Sequence, residues 1–583
     1  MTARLRSSLA LAAVLGFVLI FLGQGFAFIE ANSQTFDEAI HLAAGYSYLV
    51  TGDFRLNIEH PPLSKELAAL PVLLRYQLPF NPDPDLWKEA EGWRIGRDFL
   101  YKSAIPHDDI LFLARIPNLL LGAVLVGLIS WWAYRLWGQC AAVLAAGLSA
   151  LEPNLVAHAS LLTPDLAVTL FTFLTFYLLW EFSSAPSGKL LIAVGISMGL
   201  ALASKFSAVL LPGIMGVVVG LYLVRGGSFS IPAKTRAEAP EKLRERMIQA
   251  IGPCCRIFLV ALLVIPLFYW IYGFPTWAAG LQTQLERAAR PQFLYFFLGE
   301  ISQQGWELYF PVTFLIKTPL GTLLLLLASL ALCRQGKPLD WSSVIFVLVP
   351  PAILFFATAL SRVNIGLRYI LPVYPFLLVC AARTATIQFG NSTWSRRLSP
   401  LLVVLPLALT AASVLPVCPH HLAYFNELVG GPDQGYRYLS DSNLDWGQDL
   451  KGLKAYMDRE GVPMIYLSYF GTAPPSSYGI RYQYLPGYGH LDPPPADLLP
   501  AEIRRELLAI SVVNLQGLYL ADHELYRWLE KRTPIAKIGY SIYVYDVTGD
   551  ADAHRRLAEV YRKTGSPKAA DLEANKALAL PGP

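Results

Sequence analysis

Apolar residues in this chain come in long unbroken runs separated by polar loops, a pattern unlike the two-residue alternation of a sheet or the single stripe of a surface helix. Runs long enough to cross about 30 Å of hydrocarbon lie near 8–29, 110–134, 139–158, 164–182, 188–204, 205–224, 254–273, 308–333, 341–360, 369–387 and 399–417. They predict about eleven membrane helices. The first run exceeds a typical signal-peptide core and lacks a small-x-small cleavage site, so it reads as a retained helix.

Basic residues set the expected orientation. Arg4 and Arg6 precede the first run, and Arg135, Lys189, Arg334, Lys337, Arg383, Arg396 and Arg397 fall in every second loop thereafter. The loop 225–252 adds Arg225, Lys234, Arg236, Lys242, Arg244 and Arg246. The positive-inside rule then puts the N-terminus and these loops in the cytoplasm. Segments 30–109, 159–163, 274–307, 361–368 and the tail face outward.

Two outward segments are too long to be connectors. In 30–109, the stretches 36–50 and 62–70 have helical apolar spacing. Trp87 and Trp93, with Arg94, Arg97 and Lys102, suit either headgroup-layer helices or an aromatic belt. The tail has strand-like runs at Met464–Phe470, Leu507–Val513 and Ser541–Val547, alternating with helical stretches such as Gln448–Arg459, which predicts a small α/β domain. Leu557, Ala558, Tyr561, Gly565 and Ala569 are spaced as in one tetratricopeptide unit. One unit cannot bury its own face, so a plain hairpin docked on its neighbour fits equally. The expected divisions are a membrane domain over 1–417, an extracytoplasmic α/β domain over 418–547 and a helical hairpin over 548–583.

Composition agrees with a bilayer as solvent. Hydrophobic residues make up 54% of the 583 and charged ones 15%, against about 25% charged in soluble domains. The net charge of +4 gives no sign of a nucleic-acid partner. Five of the six cysteines fall in or beside apolar runs and outline no disulfide framework. There is no Walker sequence, dinucleotide fingerprint, Gly-x-Ser-x-Gly elbow or zinc-type cluster.

The polar chemistry lies at the outward ends. Thr35-x-x-Glu38 reads as a capping box, and acids suit a first helical turn. That accounts for Glu38, but not for Asp37 beside it, with His41 one turn on and on the same face. In His60-Pro61-Pro62-Leu63-Ser64-Lys65 the prolines suit a helix start, leaving Lys65 where the helix dipole disfavours a cation. An anion site and a simple pairing with Glu66 both fit. Thr163-Pro164-Asp165 is an ordinary capped helix start. Arg115 and Lys205 sit inside or between apolar runs, and Arg368-Tyr369 opens the tenth. Ionisable groups there are functional candidates, with snorkelling as the alternative for terminal ones. Asp441-Ser442-Asn443-Leu444-Asp445 starts like a calcium loop. Trp446 stands where glycine is required, so it reads as an Asx-rich turn capping the next helix.

Taken together, Asp37-Glu38, His60-Pro61-Pro62-Leu63-x-Lys65, Leu113-Ala114-Arg115-Ile116-Pro117, Thr163-Pro164-Asp165-Leu166-Ala167, Leu202-Ala203-Ser204-Lys205 and Arg368-Tyr369-x-x-Pro372 resemble the polyprenyl-phosphate-sugar-dependent glycosyltransferases of the protein O-mannosyltransferase and aminoarabinose-transferase type, glycosyltransferase family 39. The resemblance implies a polytopic α-helical fold of the GT-C type in the plasma (inner) membrane. It implies an outward active site that moves a sugar from a polyprenyl-phosphate donor to a hydroxyl or similar nucleophile of a protein, lipid or glycan acceptor. Asp37, Glu38 and Asp165 would be the catalytic acids. Lys65, Arg368, Lys205 and Arg115 would hold the donor phosphate, with His60, His41 and Tyr369 in support. It implies no fixed cofactor and leaves room for a divalent metal, with no metal ligands assigned. Ser64 replaces a glycine common in the protein mannosyltransferases, and the tail has no fixed counterpart in the family. Transfer from a phosphate leaving group needs one base and fixed cations, which fits this inventory. A secondary transporter for an anionic solute is the alternative, but no internal repeats are evident.

Overall fold

The computed structural model describes residues 3–229, 242–289, 293–335, 340–387, 399–491, 497–500 and 503–580. Lys234, Arg236, Lys337, Arg396 and Arg397 lie outside them. Among the described residues, seven helices are long and apolar enough to cross a membrane: Ser7–Ala31, His107–Trp137, Asp165–Ser184, Phe206–Val224, Leu243–Tyr269, Trp341–Leu360 and Leu367–Thr386. The chain is a multi-pass membrane protein.

The expected count of about eleven crossings is not reproduced, although every predicted run is helical. Two runs are broken: Gln139–Ala150 meets Pro153–Ala159 at 63°, and Tyr309–Lys317 meets Leu320–Ala331 at 110°. Both breaks precede a proline, Pro153 and Pro319, which removes a helical N–H and bars the preceding residue from helical geometry. Two further runs form shorter helices, Gly188–Leu202 and Leu401–Val417.

The first loop folds as the helices Glu38–Thr51, Leu63–Tyr76, Pro84–Lys88 and Gly92–Tyr101. The first two touch backbone to backbone, since a Cβ on Gly45 would lie 2.1 Å from the Lys65 carbonyl oxygen. The tail holds a five-stranded mixed sheet in the order Tyr482–Tyr484, Ile465–Ser468, Leu507–Ser511, Ile542–Asp546, Ala536–Ile538. Its first three strands run parallel and the remaining pairings are antiparallel. Helices Ala551–Lys563 and Pro567–Ala579 form the terminal hairpin, which docks on this sheet. His554 is buried between Glu573 (2.7 Å) and Glu506 (2.9 Å), and Tyr466 donates to Glu573 at 2.8 Å. Burial lowers the His554 pKa, but the two carboxylates outweigh it and hold the imidazole up at about 9.

Loop and tail pack on one end of the helical bundle. Ser33 N–H donates to the Gln448 carbonyl at 2.8 Å, and Thr472 Oγ1 donates to the Phe36 carbonyl at 2.8 Å. The opposite end carries the Arg135–Glu181 pair and Arg225, which lies 5.9 Å from the Trp341 ring.

Candidate active site

The first helix hands the chain to 32–36, which is pinned beneath the tail by Phe36 N–H donating to the Trp446 carbonyl at 2.9 Å. Half of the expected capping box forms, with Glu38 accepting from Thr35 N–H at 2.8 Å while Thr35 Oγ1 has no partner. Glu38 turns inward to Arg115, with Oε2 2.6 Å from Nη2 and Oε1 2.8 Å from Nε, and also accepts from Leu162 N–H at 3.0 Å. Arg115 donates as well to the carbonyls of Ile29, Asn32 and Ser33. Its five N–H groups therefore have five acceptors. Burial raises the Glu38 pKa, but Arg115 and the backbone donors bring it below the ordinary carboxylate value. The geometry corrects two expectations: Arg115 has no donor left for a phosphate, and Glu38 is held ionised in a closed clamp.

Asp37, one residue earlier, points the other way. It occupies the cap position of Glu38–Thr51 without capping it, and its Oδ2 accepts from Arg368 Nη1 at 3.2 Å. The side chains are 20% and 12% exposed. Arg368 lies 4.5 Å over the Trp446 ring and 5.8 Å from that of Tyr369. Its backbone is held by the tail, because Leu367 N–H donates to Asn443 Oδ1 at 2.9 Å and Ser442 Oγ to the Ile365 carbonyl at 3.3 Å. Gly366 permits that approach, since a Cβ there would sit 2.3 Å from Ser442 Oγ. Burial raises the Asp37 pKa above the usual range, although the Arg368 charge opposes it.

Asp165 begins the helix Asp165–Ser184, but Thr163 does not cap it, and Thr163 Oγ1 has no partner. Asp165 Oδ1 instead accepts from Lys205 Nζ at 2.6 Å, leaving Oδ2 buried without a partner. Lys205 Nζ lies 4.6 Å over the Tyr369 ring. The two ion pairs thus share Tyr369 as a common wall.

Lys65 closes the side next to His60. Its ammonium donates to Tyr48 Oη (2.9 Å) and to the Asn57 (2.8 Å) and His60 (2.7 Å) carbonyls, and also meets Asn57 Oδ1 at 3.3 Å. Its three N–H groups are satisfied by Tyr48 and the 57–60 turn, contrary to the expected direct hold on phosphate. Burial lowers its pKa to about 7 against the pull of Glu66 and Glu59. The His41 and His60 rings lie 5.6 Å apart, and burial and neighbouring cations keep both neutral, His41 at about 3. Each has an Nδ1 without a partner, as do His158 Nδ1 and Arg368 Nε. Among the described residues, no three His, Cys, Asp or Glu side chains converge to hold a metal.

The cations therefore sort by free donors. Arg115 and Lys65 are full. Arg368 uses Nη1 on Asp37 and keeps Nε free, and Lys205 spends one of its three N–H groups on Asp165, leaving two.

The sequence reading missed the contribution of the tail. Asp441–Asn443 is a 3-10 turn, and the next helix, Leu450–Arg459, has Asp449 at its cap position. The Asp441-to-Asp445 stretch is not the cap expected of it. Asp441 accepts from Tyr519 Oη at 2.7 Å, and its carboxyl, raised by burial, lies in the field of Arg368 and Asp37. Lys317, a buried cation within an apolar run, was the one available signal of a further anchor.

Residues 105–229 match the family described as dolichyl-phosphate-mannose-protein mannosyltransferase. That segment contains Arg115, Asp165 and Lys205, but not Asp37, Lys65 or Arg368. No curated protein matches the chain. Among solved structures, the chain is similar to ArnT from Cupriavidus metallidurans in the apo state, at 13% identity and TM-score 0.48 over 92% of this chain and 98% of that one. It is similar to the S. cerevisiae protein O-mannosyltransferase Pmt1-Pmt2 complex bound to the sugar donor, at 19% identity and TM-score 0.34 over 48% and 35% of the two chains. The archaeal oligosaccharyltransferase AglB from Archaeoglobus fulgidus gives 12% identity and TM-score 0.42 over 69% and 55%.

Proposed function

We propose that this protein is a membrane glycosyltransferase that moves a sugar from a polyprenyl-phosphate carrier to an acceptor hydroxyl on the extracytoplasmic face. The observation that carries the reading is the joined pair Asp37–Arg368 and Asp165–Lys205, in which two acids stand beside two cations with donors to spare. The match of 105–229 to a family that uses a lipid-phosphate-linked sugar supports it. Asp37 takes the proton of the acceptor hydroxyl as its oxygen attacks the anomeric carbon. The bond from that carbon to the phosphate oxygen breaks, and polyprenyl phosphate leaves with the bonding pair. Arg368 Nε and the free N–H groups of Lys205 face the charge that builds on the phosphate, where fixed donors act most strongly. Asp165 holds Lys205 in place. Glu38 and Arg115 fix the turn that presents Asp37, and Lys65 shapes the 57–60 wall and adds positive potential. The bundle end bearing loop and tail faces outward in the plasma (inner) membrane. A transporter for an anionic solute gives no reason for a base beside the anion-binding cations.

The test is incubation of purified protein with radiolabelled polyprenyl-phosphate sugars and membrane extract. Consumption of the labelled lipid with label appearing in an acceptor is the expected result. An unconsumed donor panel, or label released only as free sugar, overturns the reading.

A further inference from the structure

A further buried cation, Lys317, sits at the 110° break between Tyr309–Lys317 and Leu320–Ala331. Lys317 is 1% exposed, inside a run that otherwise reads as membrane filler. Unpaired cations are costly there and call for a reason. Its Nζ does not touch an acid; it donates to two tail carbonyls, Asn443 at 2.6 Å and Leu422 at 2.8 Å, and lies 4.6 Å over the Phe425 ring. Asn426 closes the same break by donating to the Leu315 and Thr318 carbonyls. The tail is thus bolted to the membrane domain at the point where the helix is interrupted.

Asn443 passes that hold on. Its Nδ2 donates to Tyr309 Oη at 2.9 Å, and its Oδ1 accepts the Leu367 N–H at 2.9 Å. Leu367 adjoins Arg368, and Trp446, three residues beyond Asn443, supplies the aromatic face under the guanidinium. The two controls on Arg368, backbone and ring, belong to one short segment, and Lys317 anchors it.

We propose that Lys317 is a positioning residue which, through Asn443, fixes Arg368 against Asp37; its bearing on sugar transfer rests on the function assigned above. A buried ammonium suits the task because one group can bind two carbonyls from different turns, and each charge-assisted bond is about twice as strong as a neutral one.

The test uses the full chain in lipid nanodiscs. Amide hydrogen exchange is followed over 365–369 in Lys317→Met, Asn443→Ala and the control Thr318→Val. The control breaks a neighbouring contact at the same break, Thr318 Oγ1 with Tyr374 Oη at 2.8 Å. Loss of one hydrogen bond is worth about tenfold in local exchange. The Leu367 amide should speed up by about that factor in the first two variants and stay slow in the control. In the transfer assay, Lys317→Met should lower kcat with little change in acceptor KM, and should add nothing in an Arg368→Ala background. Should Lys317→Met fail to fold, Lys317→Gln reads the same link, since Asn443→Ala removes the Leu367 bond but keeps the carbonyl that Lys317 holds. Unchanged exchange at 365–369 in the Lys317 variant, or an equal rise in all three variants, overturns the proposal. Faster exchange at 365–369 in a protein that consumes no donor leaves the positioning role standing and defeats the transferase reading instead.

Discussion

Arg368 and Asp37 are 331 positions apart, yet Nη1 of one lies 3.2 Å from Oδ2 of the other, with the guanidinium stacked on Trp446. Three separate parts of the chain meet there: the first loop, a membrane helix and the tail. The arrangement leaves Asp37 partly exposed and Arg368 with a donor unused.

If Asp37 is the base, Asp37→Asn should lower the turnover of donor lipid by about 10²–10⁴-fold, the usual worth of a general base. Binding of the carrier lipid should change far less. Near-normal turnover in this variant would remove Asp37 from the chemistry.

The pH dependence follows from the same pair. As the proposed base Asp37 must be ionised, so the rate should fall as pH drops through its pKa, which burial lifts above the ordinary 3.8. Arg368 opposes that lift, and Arg368→Gln should therefore move the acid limb of kcat/KM to higher pH. A limb that stays put or moves down contradicts the pairing.

Arg368 and Arg115 should part company on substitution. Arg368→Ala should cost about 10²–10³-fold in kcat, as for loss of one donor to developing charge, with thermal stability little altered. Arg115→Met strands the buried Glu38 carboxylate, and breaking such a pair typically costs about 3–5 kcal/mol. Thermal unfolding in detergent separates the two: a stable, inactive Arg115→Met protein would return Arg115 to the phosphate.

The terminal hairpin should respond to alkaline pH. The folded pKa of His554, about 9, lies above the 6.5 of the free side chain, so its contribution is complete below 6.5 and is lost as pH rises through about 9. Limited proteolysis at pH 7 and pH 9.5 should show the hairpin released only at the higher pH. In His554→Gln the difference should disappear.

Orientation is read by reporter fusions at Gly226 and Leu580. Opposite signals are expected, with Gly226 inside. Matching signals would overturn the proposed topology.

The sequence by itself determined what depends on local pattern. Runs of apolar side chains marked the helices of the membrane domain though not the number of crossings, short strand-like runs marked the strands at 465–468, 507–511 and 542–546, and helical spacing marked Glu38–Thr51 and Leu63–Tyr76. These features are set within a few residues, so one stretch of chain suffices to read them. The roles of the charged residues were not of that kind. Arg115 and Arg368 look alike in sequence, each a cation bordering an apolar run, but Arg115 meets five acceptors and Arg368 keeps a free donor. Adjacent Asp37 and Glu38 face different partners because a helix turns successive side chains by about 100°. Lys317 stood out as a cation within an apolar run, but its role was hidden for the same reason, since the carbonyls that justify its burial come from residues 105 and 126 positions away. Whether a buried charge is structural or available for chemistry depends on how many of its hydrogen-bonding positions are already filled. Only the tertiary fold supplies the groups that fill them.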